Sequence, residues 1–140
     1  MVRTRALHSI PPEGLTYHPG PAVSILADLD EVRAAISNLI ENAVKYSGKE
    51  VNVRVETELL DGHVLMRVID AGVGIPKTEL KRVFKRFHRV PGPLASRVKG
   101  TGLGLYIVRS VAKRHGGRAW AESEGAGRGS TFFLQLPVAK

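Results

Sequence analysis

The stretch "ISNLIENAVKYSGKE", Ile36–Glu50, combines two helical faces of different character. The apolar face consists of Ile36, Leu39, Ile40, Ala43 and Val44, which fall on one stripe of an α-helix. Asn38 and Asn42 lie one turn apart on a neighbouring face, which Lys45 and Tyr46 extend by another turn. Asparagine costs up to about 0.7 kcal/mol relative to alanine inside a helix. The pair therefore indicates that this second face has a use other than packing.

The composition is that of an ordinary globular domain. The chain has 140 residues, 43% of them hydrophobic and 24% charged, which suits a single domain with a real core. It contains no cysteine, which excludes disulfides and thiolate metal sites and permits a reducing cytoplasm. No run approaches the roughly 20 apolar residues of a membrane span. The formal net charge of +8 favours an anionic ligand or partner, and nucleic acid, a nucleotide triphosphate or an acidic protein surface would all fit.

The order of the predicted elements indicates the fold class. Residues 1–22 form a Pro- and Gly-rich N-terminal segment with one short strand near Leu15–Tyr17, and residues 23–140 form the domain. In the domain we predict a short strand in "AVSILAD", a helix capped by Asp28, and a hairpin that turns at Asp61-Gly62. The later predicted elements are the loop "DAGVGIP", the helix "TGLGLYIVRSVAKRH", and the strands "RAWAES" and "STFFLQLP". This order predicts an α+β fold, a two-layer sandwich of a mixed, mostly antiparallel sheet with helices on one face.

Three glycine-bearing loops are candidates for ligand binding: Asp70–Pro76, Lys99–Leu105 and Glu124–Ser130. The second opens a helix, where free backbone N–H groups and the helix dipole together make a phosphate site. The third fits a plain hairpin turn, which is the interpretation we favour for it. The chain lacks the P-loop motif, the dinucleotide-binding fingerprint and the protein-kinase signatures, which excludes those classes.

The asparagine face has the chemistry of a magnesium–phosphate site. An amide oxygen is a hard, neutral ligand suited to Mg²⁺, which takes its other oxygens from water and from substrate phosphates. Lys45 could neutralise phosphate charge. With two glycine loops downstream, the pair of asparagines predicts a nucleotide site rather than a solvated helix surface.

Five stretches in order resemble a known family. They are "NLIENAVKYS", "DAGVGIP", "FKRFHR", "GTGLGL" and "GSTFFLQLP". Together they resemble the catalytic ATP-binding domain of bacterial sensor histidine kinases, within the superfamily of DNA gyrase, Hsp90, MutL and histidine kinases. The resemblance covers roughly residues 23–137. It implies a Bergerat-type ATP-binding fold, ATP and Mg²⁺ as cofactors, and a transferase acting in two-component phosphorelay signalling.

The resemblance also implies roles for individual residues. Asn42 is the implied Mg²⁺ ligand, Asn38 lines the phosphate region, and Lys45 and Tyr46 contact phosphate and nucleotide. Asp70 accepts a hydrogen bond from the adenine amino group. The other implied nucleotide-binding residues are Gly72, Gly74, Ile75, Phe87, Arg89, Gly100, Thr101, Gly102, Leu103, Gly104, Leu105 and Thr131.

Two residues are implied in catalysis by the same resemblance. Arg89 matches a position that approaches the γ-phosphate, and Glu41 could polarise the acceptor histidine. Gyrase-like ATPases carry a glutamate where this chain has Asn38, which argues against efficient ATP hydrolysis.

The acceptor histidine itself is not recognisable in the chain. None of its five histidines is followed by an acidic residue on a long helix, the setting usual for the family's acceptor. We therefore expect a cytoplasmic, monomeric fragment that binds Mg·ATP without phosphorylating itself, and a longer protein that could be membrane-anchored. Its expected partners are a histidine-bearing dimerisation domain of the same protein and a response-regulator receiver domain, with no nucleic acid. The alternative is a stand-alone anti-sigma-type serine kinase, and a nucleic-acid binder is suggested only by charge.

Overall fold

Among the residues that the structure describes, the sheet contains five strands. The computed structural model describes residues 15–18, 20, 25, 27–45, 52–72, 74–80, 82–85, 104–125 and 127–139. Within these ranges the strands are β1 (Leu15–His18), β2 (Val53–Leu60), β3 (His63–Asp70), β4 (Arg118–Glu122) and β5 (Ser130–Pro137). They lie in the order β1-β2-β3-β5-β4, with β1 parallel to β2 and the other pairs antiparallel.

In the ranges given above, two α-helices cover one face of the sheet, α1 (Leu29–Lys45) and α2 (Gly104–Arg114), and a short 3₁₀ helix spans Lys77–Glu79. Alternate residues of the strands point toward these helices, so Val55, Val68 and Phe132 lie in the hydrophobic core. On the opposite face the rings of Trp120 and Phe133 are stacked 4.8 Å apart. The predicted α+β sandwich with helices on one face is therefore confirmed.

The β2–β3 hairpin agrees with its sequence signal. Asp61 and Gly62 have positive φ angles of 51° and 76°, as a two-residue type I′ turn requires. Leu60 pairs with His63 across the turn, and this register places Val53 opposite Asp70. The hairpin turn thus determines where Asp70 lies at the end of β3.

Helix α1 begins at the predicted cap. The Asp28 carboxylate accepts a hydrogen bond from the backbone N–H of Glu31 at 3.1 Å. The predicted apolar stripe is buried at Leu39, Ile40 and Ala43. The asparagine face beside this stripe is half-buried.

Helix α2 ends in a Schellman motif at the Gly116-Gly117 pair. Gly116 has a φ of +77°, and the N–H of Gly117 bonds to the carbonyl of Ala112 at 2.8 Å. A contact of His115 joins the two helices. Its Nε2 accepts a hydrogen bond from the backbone N–H of Asp28 at 3.0 Å, and its Nδ1 lies 2.7 Å from the carbonyl oxygen of Val111. The C-terminus of α2 is thereby held to the N-terminus of α1, and the N-terminus of α2 lies beside a later turn of α1.

One sequence prediction is not matched by the residues that the structure describes. The predicted strand in "AVSILAD" falls largely outside the described residues; the described Ile25, Ala27 and Asp28 are not in a strand, and Ile25 and Ala27 pack against the core. After Lys77–Glu79, Val83 and Phe84 lie in turns and are buried, and the ring of Phe84 meets that of Phe132 edge to face at 6.5 Å. In the part of the chain that the structure describes, no helix is long and apolar enough to cross a membrane.

Candidate active site

The asparagine face of α1 meets the start of α2. Asn38 and Asn42 are both half-buried. A Cβ atom placed on Gly104, the first residue of α2, would lie 3.4 Å from Oδ1 of Asn38. The first turn of a helix presents N–H groups without partners inside the helix and carries about half a positive charge. The Asn38 amide oxygen and a helix start are therefore neighbours, an arrangement that suits a magnesium–triphosphate.

Asp70 forms the centre of a second polar group, at the end of β3. Its side chain is only 3% exposed. Oδ1 accepts from the N–H of Gly72 at 2.9 Å, and Oδ2 accepts from the hydroxyl of Ser130 at 2.6 Å. A carboxylate has about four acceptor positions. These two bonds and a third from the backbone N–H of Ser130 therefore leave capacity for one further donor, such as an aromatic amine.

The burial of Asp70 has a consequence for its protonation. Removal from water raises the pKa of Asp70 above its ordinary value of 3.8, and the hydrogen bonds from Ser130 and Gly72 oppose this shift only in part. In the unfolded chain the group ionises at the lower, ordinary pKa. The folded state therefore binds the proton more tightly than the unfolded state does.

This difference predicts a pH-dependent effect of Asp70→Asn. The protonated carboxyl contributes stability that is fully present below the ordinary pKa of 3.8, and that contribution is lost as pH rises through the raised pKa of the folded state. Asparagine does not titrate. The free energy of unfolding of the wild type should thus fall relative to that of the variant as pH increases from about 4.

Urea unfolding of both proteins across this pH range measures the difference. Asp61→Asn is the matched control, because Asp61 is exposed in the hairpin turn and asparagine tolerates its positive φ. The prediction would be contradicted if the free energy of unfolding of the wild type, minus that of Asp70→Asn, rose with pH or did not change.

An open cleft of about 480 Å³ lies at the Asp70 end of the sheet. Its lining comes from the ends of β3, β4 and β5, from the β4–β5 connection and from the residue after the 3₁₀ helix: Ile69, Asp70, Leu80, Glu122, Ser123, Glu124, Arg128, Gly129, Ser130 and Thr131. The predicted residues Asp70 and Thr131 are thus brought together. Asn38 and Asn42 are not in this described lining, so the cleft represents only one end of the predicted site.

The third glycine loop packs against the loop that follows Asp70. A Cβ on Gly74 would lie 2.1 Å from the carbonyl oxygen of Gly125, and one on Gly129 would lie 2.4 Å from that of Asp70. The N–H of Gly129 also bonds to the carbonyl of Gly72 at 3.2 Å. The segment is the hairpin connection that the sequence predicts, and it is in addition a support for the Asp70 loop, which the sequence did not reveal.

Ser130 is a polar partner of Asp70 that sequence reasoning missed in favour of Thr131. Strand pairing places Ser130 opposite Asp70 and Thr131 opposite Ile69. Since neighbouring side chains in a strand point to opposite faces, only Ser130 shares the face of the Asp70 side chain. The alternation in "STFFLQLP", which puts Ser130 in phase with the buried Phe132, was the signal that could have found it.

Several predicted site residues lie outside the described part of the chain. They are Tyr46, Phe87, Arg89, Gly100, Thr101, Gly102 and Leu103, together with the side chain of Lys45. Of the others, Ile75 and Leu105 are buried in the hydrophobic core, and Glu41 is half-buried on α1. The structure therefore describes the helix wall and the Asp70 end of the predicted site.

Comparison with known proteins identifies the class. Residues 27–140 match the family described as "Histidine kinase-, DNA gyrase B-, and HSP90-like ATPase". The chain belongs to this family of ATP-binding domains, and within it is homologous to the sensor histidine kinases of two-component systems. The predicted family is confirmed, and histidine kinases are supported over the anti-sigma alternative.

Two curated relatives illustrate the similarity. The chain is 40% identical over 115 residues to the sensor-like histidine kinase SenX3 of Mycolicibacterium smegmatis, covering 81% of this chain and 29% of that protein. It is 40% identical over 116 residues to the sensor histidine kinase WalK of Bacillus subtilis, covering 79% of this chain and 18% of that protein. The chain thus spans less than a third of the length of either relative.

Solved structures show the same fold. The mycobacterial sensor histidine kinase MprB superposes with a TM-score of 0.77 at 28% identity, covering 96% of this chain and 88% of that one. Full-length ShkA in complex with AMPPNP gives a TM-score of 0.74 at 29% identity, covering 91% of this chain and 26% of that one.

Proposed function

We propose that this domain binds Mg·ATP and donates its γ-phosphate to a histidine on a separate dimerisation domain of the same protein. The triphosphate lies between the asparagine face of α1 and the start of α2, and the adenine lies at Asp70. The observation that carries the proposal is the 3.4 Å approach between Asn38 Oδ1 and the Cβ position of Gly104, which joins the two walls of a phosphate site. The identity of the nucleotide is inferred from the family, because the matching family is one of ATPases.

Magnesium fits the residues that are present. In the described ranges no group of three or more His, Cys, Asp or Glu side chains could hold a metal. Mg²⁺ in phosphoryl-transfer sites needs no such cage, because one or two protein oxygens complement the phosphates and waters. Asn42 would supply that oxygen, and the ion would neutralise charge on the phosphates.

In the proposed transfer, an imidazole nitrogen of the acceptor histidine attacks the γ-phosphorus. The bond from that phosphorus to the bridging oxygen of the β-phosphate breaks, and ADP leaves with the electron pair. We assign Glu41 to polarising the acceptor, and Arg89 and Lys45 to balancing phosphate charge. Tyr46 contacts the nucleotide, and Gly100–Gly104 approach the phosphates.

The proposed partners follow from this role. They are the histidine-bearing dimerisation domain and, downstream, a response-regulator receiver domain, with no nucleic acid. The solved structure of ShkA, which has the same fold, is a complex with the ATP analogue AMPPNP. This supports an ATP site in the present domain. We place the domain in the cytoplasm, where ATP is available. We expect the isolated domain to be a monomer.

A direct test uses the isolated chain. It should bind a non-hydrolysable ATP analogue in the presence of Mg²⁺, measured by titration calorimetry, and the affinity should fall when EDTA removes the metal. Incubated with γ-labelled ATP, it should acquire no stable label, because its own histidines lack the acceptor setting.

The added dimerisation domain of the longer protein should become labelled in the same mixture, whereas the same domain with its acceptor histidine replaced should not. Absence of analogue binding, or stable label on the isolated chain, would refute the proposal.

A further inference from the structure

Ser123, the residue after β4, has a side-chain hydroxyl whose hydrogen and lone pairs are all engaged in hydrogen bonds. Its Oγ accepts from the N–H of Ile75 at 3.1 Å and from the N–H of Gly125 at 3.2 Å. It lies 2.6 Å from the carbonyl oxygen of Gly129 and 3.3 Å from that of Gly125. A hydroxyl has one hydrogen and two lone pairs, so it donates to the nearer Gly129 oxygen and both lone pairs are occupied.

These bonds connect two separate parts of the chain. Ile75 belongs to the loop that follows Asp70, whereas Gly125 and Gly129 belong to the β4–β5 connection. The same two segments meet at the Gly129-to-Gly72 backbone bond. Ser123 supplies the side-chain hydroxyl that completes this contact, 48 residues along the chain from its partner Ile75.

We propose that Ser123 is a positioning residue for base recognition: its hydroxyl holds the Asp70 loop so that the site distinguishes adenine from a base without the amino group. The inference rests on the proposed function, in which Asp70 accepts from the adenine amine. Ser123 lines the cleft, but its hydroxyl cannot bind a nucleotide without giving up a backbone partner. It therefore acts through the loop.

The physical reason is the narrow geometry of a hydrogen bond. A donor–acceptor distance near 3 Å and an angle above about 150° are preferred, and the interaction weakens steeply outside them. The Asp70 carboxylate accepts a hydrogen bond from the N–H of Gly72, which lies in the loop that follows it. The position of that loop depends in turn on its hydrogen bond to Ser123. Displacement of the loop would weaken the bond to the base while the phosphate contacts of α1 and α2 remained.

The experiment compares Ser123→Thr with Ser123→Val, which have nearly the same shape and differ in the hydroxyl. For each protein the Kd is measured for Mg·ATP and for purine riboside triphosphate, which lacks only the 6-amino group. Wild type and Ser123→Thr should prefer ATP by the same factor. In Ser123→Val that preference should fall roughly tenfold, with little change in affinity for the analogue.

Ser110→Ala, a serine on α2, is the matched control and should keep the wild-type ratio. An unchanged ratio in Ser123→Val, or an equal loss of affinity for both nucleotides, would overturn the inference. So would failure of Ser123→Val to fold while Ser123→Thr folds, because Ser123 would then determine folding rather than selectivity. Failure of the wild type to bind either nucleotide would instead refute the proposed function, on which the inference depends.

Discussion

Replacing Asn42 with alanine is expected to weaken the binding of Mg·ATP about 100-fold, because loss of a direct ligand should cost at least as much as loss of a hydrogen-bond partner of a ligand. Asn42 is half-buried on α1, one turn beyond Asn38, whose amide oxygen faces the start of α2. If its amide oxygen is the protein ligand of the magnesium, alanine leaves that coordination position to water.

The same substitution should not destabilise the domain. Alanine is the better helix former by up to about 0.7 kcal/mol, and the buried stripe of α1 is carried by other residues. The free energy of unfolding should therefore stay the same or rise while the affinity falls. Opposite changes of these two quantities are the mark of a residue kept for binding.

Calorimetric titration with a non-hydrolysable ATP analogue, with and without Mg²⁺, measures the affinity, and urea unfolding measures the stability. Asn52→Ala is the matched control, because Asn52 is exposed beside β2. An unchanged affinity would remove Asn42 from the site. A loss of equal size in the absence of magnesium would show that Asn42 contacts the nucleotide rather than the metal.

The second large effect is expected from Gly74→Ala, which should lower the free energy of unfolding by about 3 kcal/mol. Gly74 has a φ of +73°, and a Cβ there would lie 2.1 Å from the carbonyl oxygen of Gly125. The clash is with backbone, so it can be relieved only by separating the Asp70 loop from the β4–β5 connection. Nucleotide affinity should fall with it.

Gly62→Ala separates the two causes of this loss of stability, which are the positive φ angle and the clash of the added Cβ atom. Gly62 has a φ of +76°, and nothing lies within 4 Å of its Cβ position. Alanine at this site should cost only about 1 kcal/mol, the penalty of a left-handed backbone for a residue with a side chain. Urea unfolding of both variants gives the comparison, and equal losses would mean that the contact between the loops contributes nothing.

Much of the fold could be predicted because its signals are local. The stripe through Leu39 and Ala43, the alternation around Val53 and Val55, and the Asp61-Gly62 turn each depend on residues close in sequence. The glycines after α2 act through backbone conformation, which is also a local property.

The candidate site was predictable where one element carries it. Asn38 and Asn42 are a turn apart on one helix, so their common face follows from helical geometry. The choice between Ser130 and Thr131 depends instead on which face of β5 meets Asp70, and that is determined by the register with β3.

The sequence by itself determined the two helices, the central hairpin and the asparagine face, because spacing of 2 or 3.6 residues is dictated by the backbone. The resemblance implied that Asn38 and Gly104 belong to one site, but their contact, and the contact of Ser123 with the loop of Ile75, are seen only in the tertiary structure. These contacts join segments whose separation along the chain says nothing about distance. They form only when burial of the shared core brings the helices and loops together, and no local pattern encodes that step.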